Sequence, residues 1–102
     1  MDEVVGGFEW DAAKNSSNYD KHGMSFADAI DFEFATATLE PDERTDYGEK
    51  RLISTGYLHG RLCVLCWTPR HNRVRVISLR KANVREQEIY KRKSGSAPIS
   101  NR

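Results

Sequence analysis

Three strand-like runs follow one another in the second half of the chain, at 51–58, 61–68 and 73–80. His59-Gly60 separates the first two, and Pro69-Arg70-His71-Asn72 separates the second two. Such short connections predict three antiparallel neighbours. Upstream the period changes. Phe26, Ala29, Ile30 and Phe34 fall at i, i+3, i+4 and i+8, the core-facing stripe of a helix. Ser25 is placed to cap that helix, with Asp28 at the third position of a capping-box-like arrangement. Before it, Phe8-Glu9-Trp10 reads as a short extended piece ended by Asp11, a good N-cap. A first helix then runs to Gly23, where glycine suits a left-handed C-terminal cap.

Residues 36–39 read as a further strand candidate, and 40–49, with their Pro and Gly, as a polar loop. A closing helix is predicted over about 83–93. The segment 94–102 (SGSAPISNR) reads as a disordered tail, and 1–7 as an N-terminal extension to a single domain over 8–93. The expected fold class is α+β: a short strand and two helices packed on a three- to four-stranded antiparallel sheet, with a C-terminal helix.

Composition narrows the function. At 102 residues there is room for one core. The net charge of +1 hides a division. Residues 1–49 hold three Lys/Arg against thirteen Asp/Glu, a balance of −10. Residues 50–102 hold thirteen against two, a balance of +11. That asymmetry points to a polyanion partner for the basic half, unless the fold interleaves the halves and cancels the field. No apolar run approaches the roughly 20 residues of a membrane span, and no signal peptide is expected before Phe8. Cys63 and Cys66 lie three residues apart in one strand and point to opposite faces, so they cannot bond to each other. Two packed thiols fit a reducing cytoplasm.

Metal chemistry finds no motif. His22, His59 and His71 are scattered, with no paired zinc spacing and no EF-hand loop, so neither metal nor other cofactor is expected. Cationic side chains are plentiful. Lys14, Asn18, Lys21 and His22 share one polar stripe of the first helix, which is commonly only a solvated face. His22 sits in the last turn, where the helix dipole raises imidazole basicity. Arg73 and Arg75 share one face of the last strand, and simple alternation puts Arg80 on the other unless a bulge intervenes. Guanidinium groups make good phosphate clamps, planar and bidentate. The chemistry such groups can perform without a metal is RNA cleavage, in which the 2′-hydroxyl is itself the nucleophile.

The assembled string resembles the BrnT-type toxin family. Phe8-Glu9-Trp10-Asp11, Lys14, Asn18, Lys21-His22-Gly23 and Ser25-Phe26 form its opening signature. Gly48-Glu49-x-Arg51, Gly56 and Arg61 continue it, and Thr68, Arg75-Val76-Ile77-Ser78, Arg80, Ala82, Glu86 and Tyr90 complete it. The usual Ser-Ala-Arg of the family stands here as Ser78-Leu79-Arg80, with Leu79 a bulkier floor for the site. The resemblance implies a RelE-like fold and a type II toxin that cleaves RNA without a metal and arrests translation. It also implies neutralisation by a BrnA-type antitoxin, in a hetero-oligomer that binds operator DNA through the antitoxin.

Roles assigned by side-chain chemistry put Arg51, Arg61 and Arg80 on the phosphorane, and His22 or Glu49 as general base. Lys14 stabilises charge, while Arg73, Arg75 and Lys81 clamp the RNA backbone. Two rivals remain open: a nucleic-acid-binding module without catalysis, and a protein that acts only through a protein partner.

Overall fold

The computed structural model describes residues 1–95. Six strands form one sheet: β1 (Asp2–Val5), β2 (Phe8–Asp11), β3 (Glu40–Pro41), β4 (Leu52–Leu58), β5 (Arg61–Arg70) and β6 (Arg73–Lys81). Their order across the sheet is β1-β2-β6-β5-β4-β3. Two α-helices, α1 (Ala12–His22) and α2 (Val84–Gly95), and two 3-10 segments, Phe26–Asp31 and Phe34–Thr36, complete it.

The α+β class is as the sequence implies, but the sheet is larger and mixed. β2 runs parallel to β6, with Phe8 opposite Val74 and Glu9 opposite Arg75. This pairing joins residues more than sixty positions apart, so no local turn announces it. It departs from a purely antiparallel, three- to four-stranded RelE-like expectation. β1 adds a strand within what reads as an N-terminal extension. Gly6 and Gly7 form the two-residue link of a hairpin that sets Val5 opposite Phe8, with Gly6 in the left-handed region.

The meander β4-β5-β6 forms where expected. Its turns are His59-Gly60 and His71-Asn72, all four residues at positive φ, which matches the twist of the flanking strands. Pro69 and Arg70 belong to β5 rather than to the turn. Proline is tolerated there because β4 ends opposite Trp67 and leaves the outer edge of β5 unpaired. The candidate strand at 36–39 gives way to Glu40–Pro41, which pairs with Ile53 and Leu52.

Helix α1 is capped as its sequence implies. Asp11 accepts from the Lys14 amide at 2.9 Å, and Gly23 closes the helix at φ 71°. The second helix is instead a 3-10 segment, capped by Ser25 through the Ala27 amide. Phe26 and Ala29 within it, and Phe32 just after it, are buried at every third position. A 3-10 turn has three residues, so this spacing keeps one face inward. Ile30 and Phe34, which an α-helical stripe would bury, stay exposed.

The two sheet faces carry separate cores. Trp10, Leu58, Cys63, Leu65, Val76 and Leu79 pack against Phe26, Ala29 and Phe32. Leu62, Val64, Ala82 and Tyr90 form a smaller cluster under α2 on the other face, with Ile53 beside it. A fully buried phenylalanine such as Phe26 contributes about 1.5–3 kcal/mol. Cys63 and Cys66 are free and buried, on opposite faces as expected. Burial pushes both thiols above their ordinary range.

Candidate active site

One extra residue in β6 decides which side chains meet. Cys66 pairs with Ser78 and Trp67 with Val76, so Ile77 is left without a partner and forms a bulge. Val76 and Leu79 therefore both face the larger core. Ser78 and Arg80 turn to the face that carries Arg75. Simple alternation, which separates Arg80 from Arg73 and Arg75, is thus corrected by the bulge. Leu79 lies fully buried in the core instead of forming a floor for the site.

On the Arg80 face, α2 and the sheet enclose a groove of about 520 Å³. Ser78, Arg80, Arg44, Cys66, Glu40 and Tyr90 are among its lining residues. Two guanidinium groups border it, each fixed by a carboxylate in bidentate contact. Arg80 donates to both Glu86 oxygens at 2.8 Å. Arg44 donates through Nε and Nη2 to the two Asp42 oxygens at 2.8 and 2.7 Å. Bidentate geometry fixes the guanidinium plane as well as its position.

Glu86 has a second task. Its Oε1 accepts from the Asn83 amide at 2.9 Å, while Asn83 Oδ1 accepts from the Glu86 amide at 2.8 Å. This reciprocal box starts α2. The Arg80 hydrogen bonds hold the Glu86 carboxyl below its usual range. Hydrogen bonds from Arg44 lower Asp42 to about 2. The Asp42 side chain is fully buried, with Cys66 Sγ 3.9 Å from its Oδ2. Both carboxylates are anions at neutral pH, and both are poor bases. In the groove, Lys93 Nζ lies 2.7 Å from Glu40 Oε2, an exposed acid-base pair.

Arg51 leans on the same loop. It donates to Glu49 at 3.0 Å and stacks 3.9 Å from the centre of the Tyr47 ring. Arg61 and Lys81 line a second groove of about 410 Å³ with Tyr57, Gln87, Tyr90 and Lys91.

Other residues singled out from the sequence lie apart from the first groove. Asn18 of α1 is buried at the edge of β6: it donates to Leu79 O at 2.9 Å and accepts from Leu79 N at 3.2 Å. Its carboxamide stands where a neighbouring strand would, beyond the end of β2. This explains a poor helix former in mid-helix. Lys14 and His22, on the same helix, make no side-chain hydrogen bond or ion pair within the described residues and do not line the groove.

Arg75 is held inside the fold. It donates to Glu9 at 2.8 Å and to both oxygens of Asp2 at 2.9 and 3.0 Å. Glu9 is only 2% exposed and also meets His71 at 3.2 Å and Arg73 at 3.5 Å. Burial pushes the Glu9 carboxyl up, but hydrogen bonds from Arg75 and His71 outweigh it and leave it lowered. The acidic and basic halves of the chain are therefore interleaved here and at Lys93–Glu40. Asp42, Arg44, Glu40 and the linking role of Glu86 were not legible as site residues, because they sit in a polar loop or behind a cap motif. Among the described residues, no group of three or more His, Cys, Asp or Glu is arranged to hold a metal ion.

No curated protein matches the chain significantly. The family model for the ribonuclease toxin BrnT of type II toxin-antitoxin systems matches residues 10–86. That span runs from Trp10 through the meander to Glu86 and takes in Asn18, Arg44, the Ile77 bulge and Arg80. The protein belongs to the BrnT family of ribonuclease toxins of type II toxin-antitoxin systems.

Proposed function

We propose that the chain is a metal-independent endoribonuclease of the cytoplasm, with its centre in the groove between α2 and the sheet. The observation that carries this reading is the pair Arg44 and Arg80, each held bidentately at the border of one groove. Each guanidinium still has donors left over after binding its carboxylate. Those donors suit the oxygens of a pentacoordinate phosphorane, where charge grows as the 2′-hydroxyl attacks. Glu40 takes the 2′-hydroxyl proton, and Lys93 beside it supplies a proton to the departing 5′-oxygen. The products are a 2′,3′-cyclic phosphate and a 5′-hydroxyl end. Arg51, paired with Glu49 at the loop end, offers its remaining donors there, and Arg61 and Lys81 hold the backbone beyond α2. Arg73 and Arg75 instead act within the fold, bound to Glu9 and Asp2.

A cytosolic ribonuclease of this kind needs an inhibitor, and a BrnA-type antitoxin fills that role. An acidic antitoxin segment over α2 would exclude RNA from both grooves, and the complex would bind operator DNA through the antitoxin. The deciding experiment incubates purified protein with a defined RNA in EDTA and analyses the ends. Cleavage leaving cyclic phosphate supports the reading. Intact RNA that is nonetheless retarded in a gel would leave a binding module, and cleavage that returns only with a divalent ion would remove the metal-free mechanism.

A further inference from the structure

We infer that the second groove, on the Tyr57 side of α2, is a nucleotide subsite that stacks one base of single-stranded RNA and holds its flanking phosphates; this rests on the ribonuclease reading above. Three independent features meet there. Arg61, Lys81 and Lys91 line the groove, and none has a carboxylate partner among the described residues. Nearly every other arginine around the first groove and β6 is already bound to an anion: Arg44, Arg51, Arg73, Arg75 and Arg80. Three cations without an anion partner among the described residues thus converge on this one groove.

The second feature is an aromatic surface. Tyr57, next to last in β4 and past the two residues that pair with β3, is 37% exposed. Its ring meets Tyr90 edge to face, with centroids 5.6 Å apart and planes at 89°. Tyr90 is itself buried and anchored through its hydroxyl to Thr36 O at 2.8 Å. The part-exposed Tyr57 ring is thus braced by an anchored neighbour, so less rotamer freedom remains to be lost when a base stacks on it.

The third feature is continuity. Tyr90 lines both grooves. A strand whose scissile phosphate lies at Arg44 and Arg80 can therefore continue past Tyr90 into the second groove. Stacking on a braced ring plus cation contacts to phosphate is how sequence-tolerant single-strand binding works. An acidic peptide would use the cations and leave the ring face without a role.

The test uses the whole protein and a short 2′-O-methyl oligonucleotide, which binds but cannot be cleaved. Tyr57→Ala should weaken binding by about 5- to 100-fold, the range of one lost base stack, and Tyr57→Phe should restore it. Lys81→Glu with Lys91→Glu should lower the slope of log affinity against log salt by about one for each lost phosphate contact. With cleavable RNA, the same variants should raise KM more than they lower kcat. Thermal melting checks that each variant folds.

Wild-type affinity and salt slope in folded variants overturn the subsite. So does loss of binding to a polyglutamate peptide with oligonucleotide binding retained, which would give the groove to a protein. If the wild type binds the oligonucleotide through Tyr57 but cuts no RNA, the subsite stands and the ribonuclease centre fails. If it cuts RNA while Tyr57→Ala binds normally, the centre stands and the subsite fails.

Discussion

Arg80 and Glu86 are joined by two parallel hydrogen bonds of 2.8 Å, and this pair ties the end of β6 to the first turn of α2. Glu86 thereby serves the helix cap and the guanidinium together. Arg80→Ala should lower the cleavage rate by about 100-fold or more while the fold persists, since one such donor stabilises growing charge by that order. Arg80→Lys should recover little, because an ammonium lacks the planar fork. Glu86→Ala should also reduce the rate, and it should cost about 1 kcal/mol in stability through the lost cap. Single-turnover cleavage with parallel thermal melts measures both. Arg80→Ala cutting at the wild-type rate would remove Arg80 from the centre.

Asn18→Ala should be far more damaging than a helix-surface change. It removes the partner of Leu79 N and Leu79 O at once, at a site only 8% exposed. Leaving two buried backbone groups unpaired costs about 2–4 kcal/mol, outweighing the better helix propensity of alanine. Chemical denaturation gives the value. A change below 1 kcal/mol, with alanine's gain in propensity accounted for, would mean that water replaces the carboxamide.

Arg75→Ala should destabilise the protein by about 3 kcal/mol, because Glu9 is then buried without its main counter-charge. Residual RNA affinity in the folded fraction should stay near wild type, since Arg75 already satisfies two carboxylates. The opposite outcome, normal stability with weakened RNA binding, would return Arg75 to the list of backbone clamps.

The carboxyl of Asp42, lowered from 3.8 to about 2 by the Arg44 hydrogen bonds, sets a pH dependence. A group with a depressed folded value stabilises the protein above its unfolded value. That contribution is lost as pH falls through the folded value. Stability should therefore decline between about pH 4 and pH 2, and Asp42→Asn should flatten that limb while lowering stability at neutral pH. Melting curves across acid pH test it. An unchanged acid limb in Asp42→Asn would assign the decline to the other lowered carboxylates, Asp2, Glu9, Asp11 and Glu86.

What the chain discloses before folding follows the range of each interaction. Caps and two-residue turns are local, so Asp11, Gly23 and His59-Gly60 were legible as written. The identity of the 3-10 segment was ambiguous because Phe26 and Ala29 satisfy both periods, and Phe32 rather than Ile30 decides between them. The β2–β6 pairing was hidden, since neither Phe8 nor Val74 carries a mark of its distant partner. Arg80 could be singled out from its chemistry but not placed on a face. Arg44 carries no local signal, because it lies in an acidic loop and its bidentate pairing with Asp42 exists only in the folded chain.

The bulge at Ile77 makes the groove a matter of counting. Along a regular strand, side is parity: odd positions on one face, even on the other. Ile77 is a residue that the sheet skips, and every assignment downstream depends on that skip. A slip that drew Ile77 into the ladder would exchange Leu79 and Arg80, setting a guanidinium in the apolar core and a leucine in the groove. Excising Ile77 altogether would leave Val76 opposite Trp67 and Ser78 opposite Cys66, with each side chain on its present face. The loss of one residue at that position is therefore silent in the pattern, whereas one residue lost from Leu79 to Lys81 shifts every face assignment after the cut.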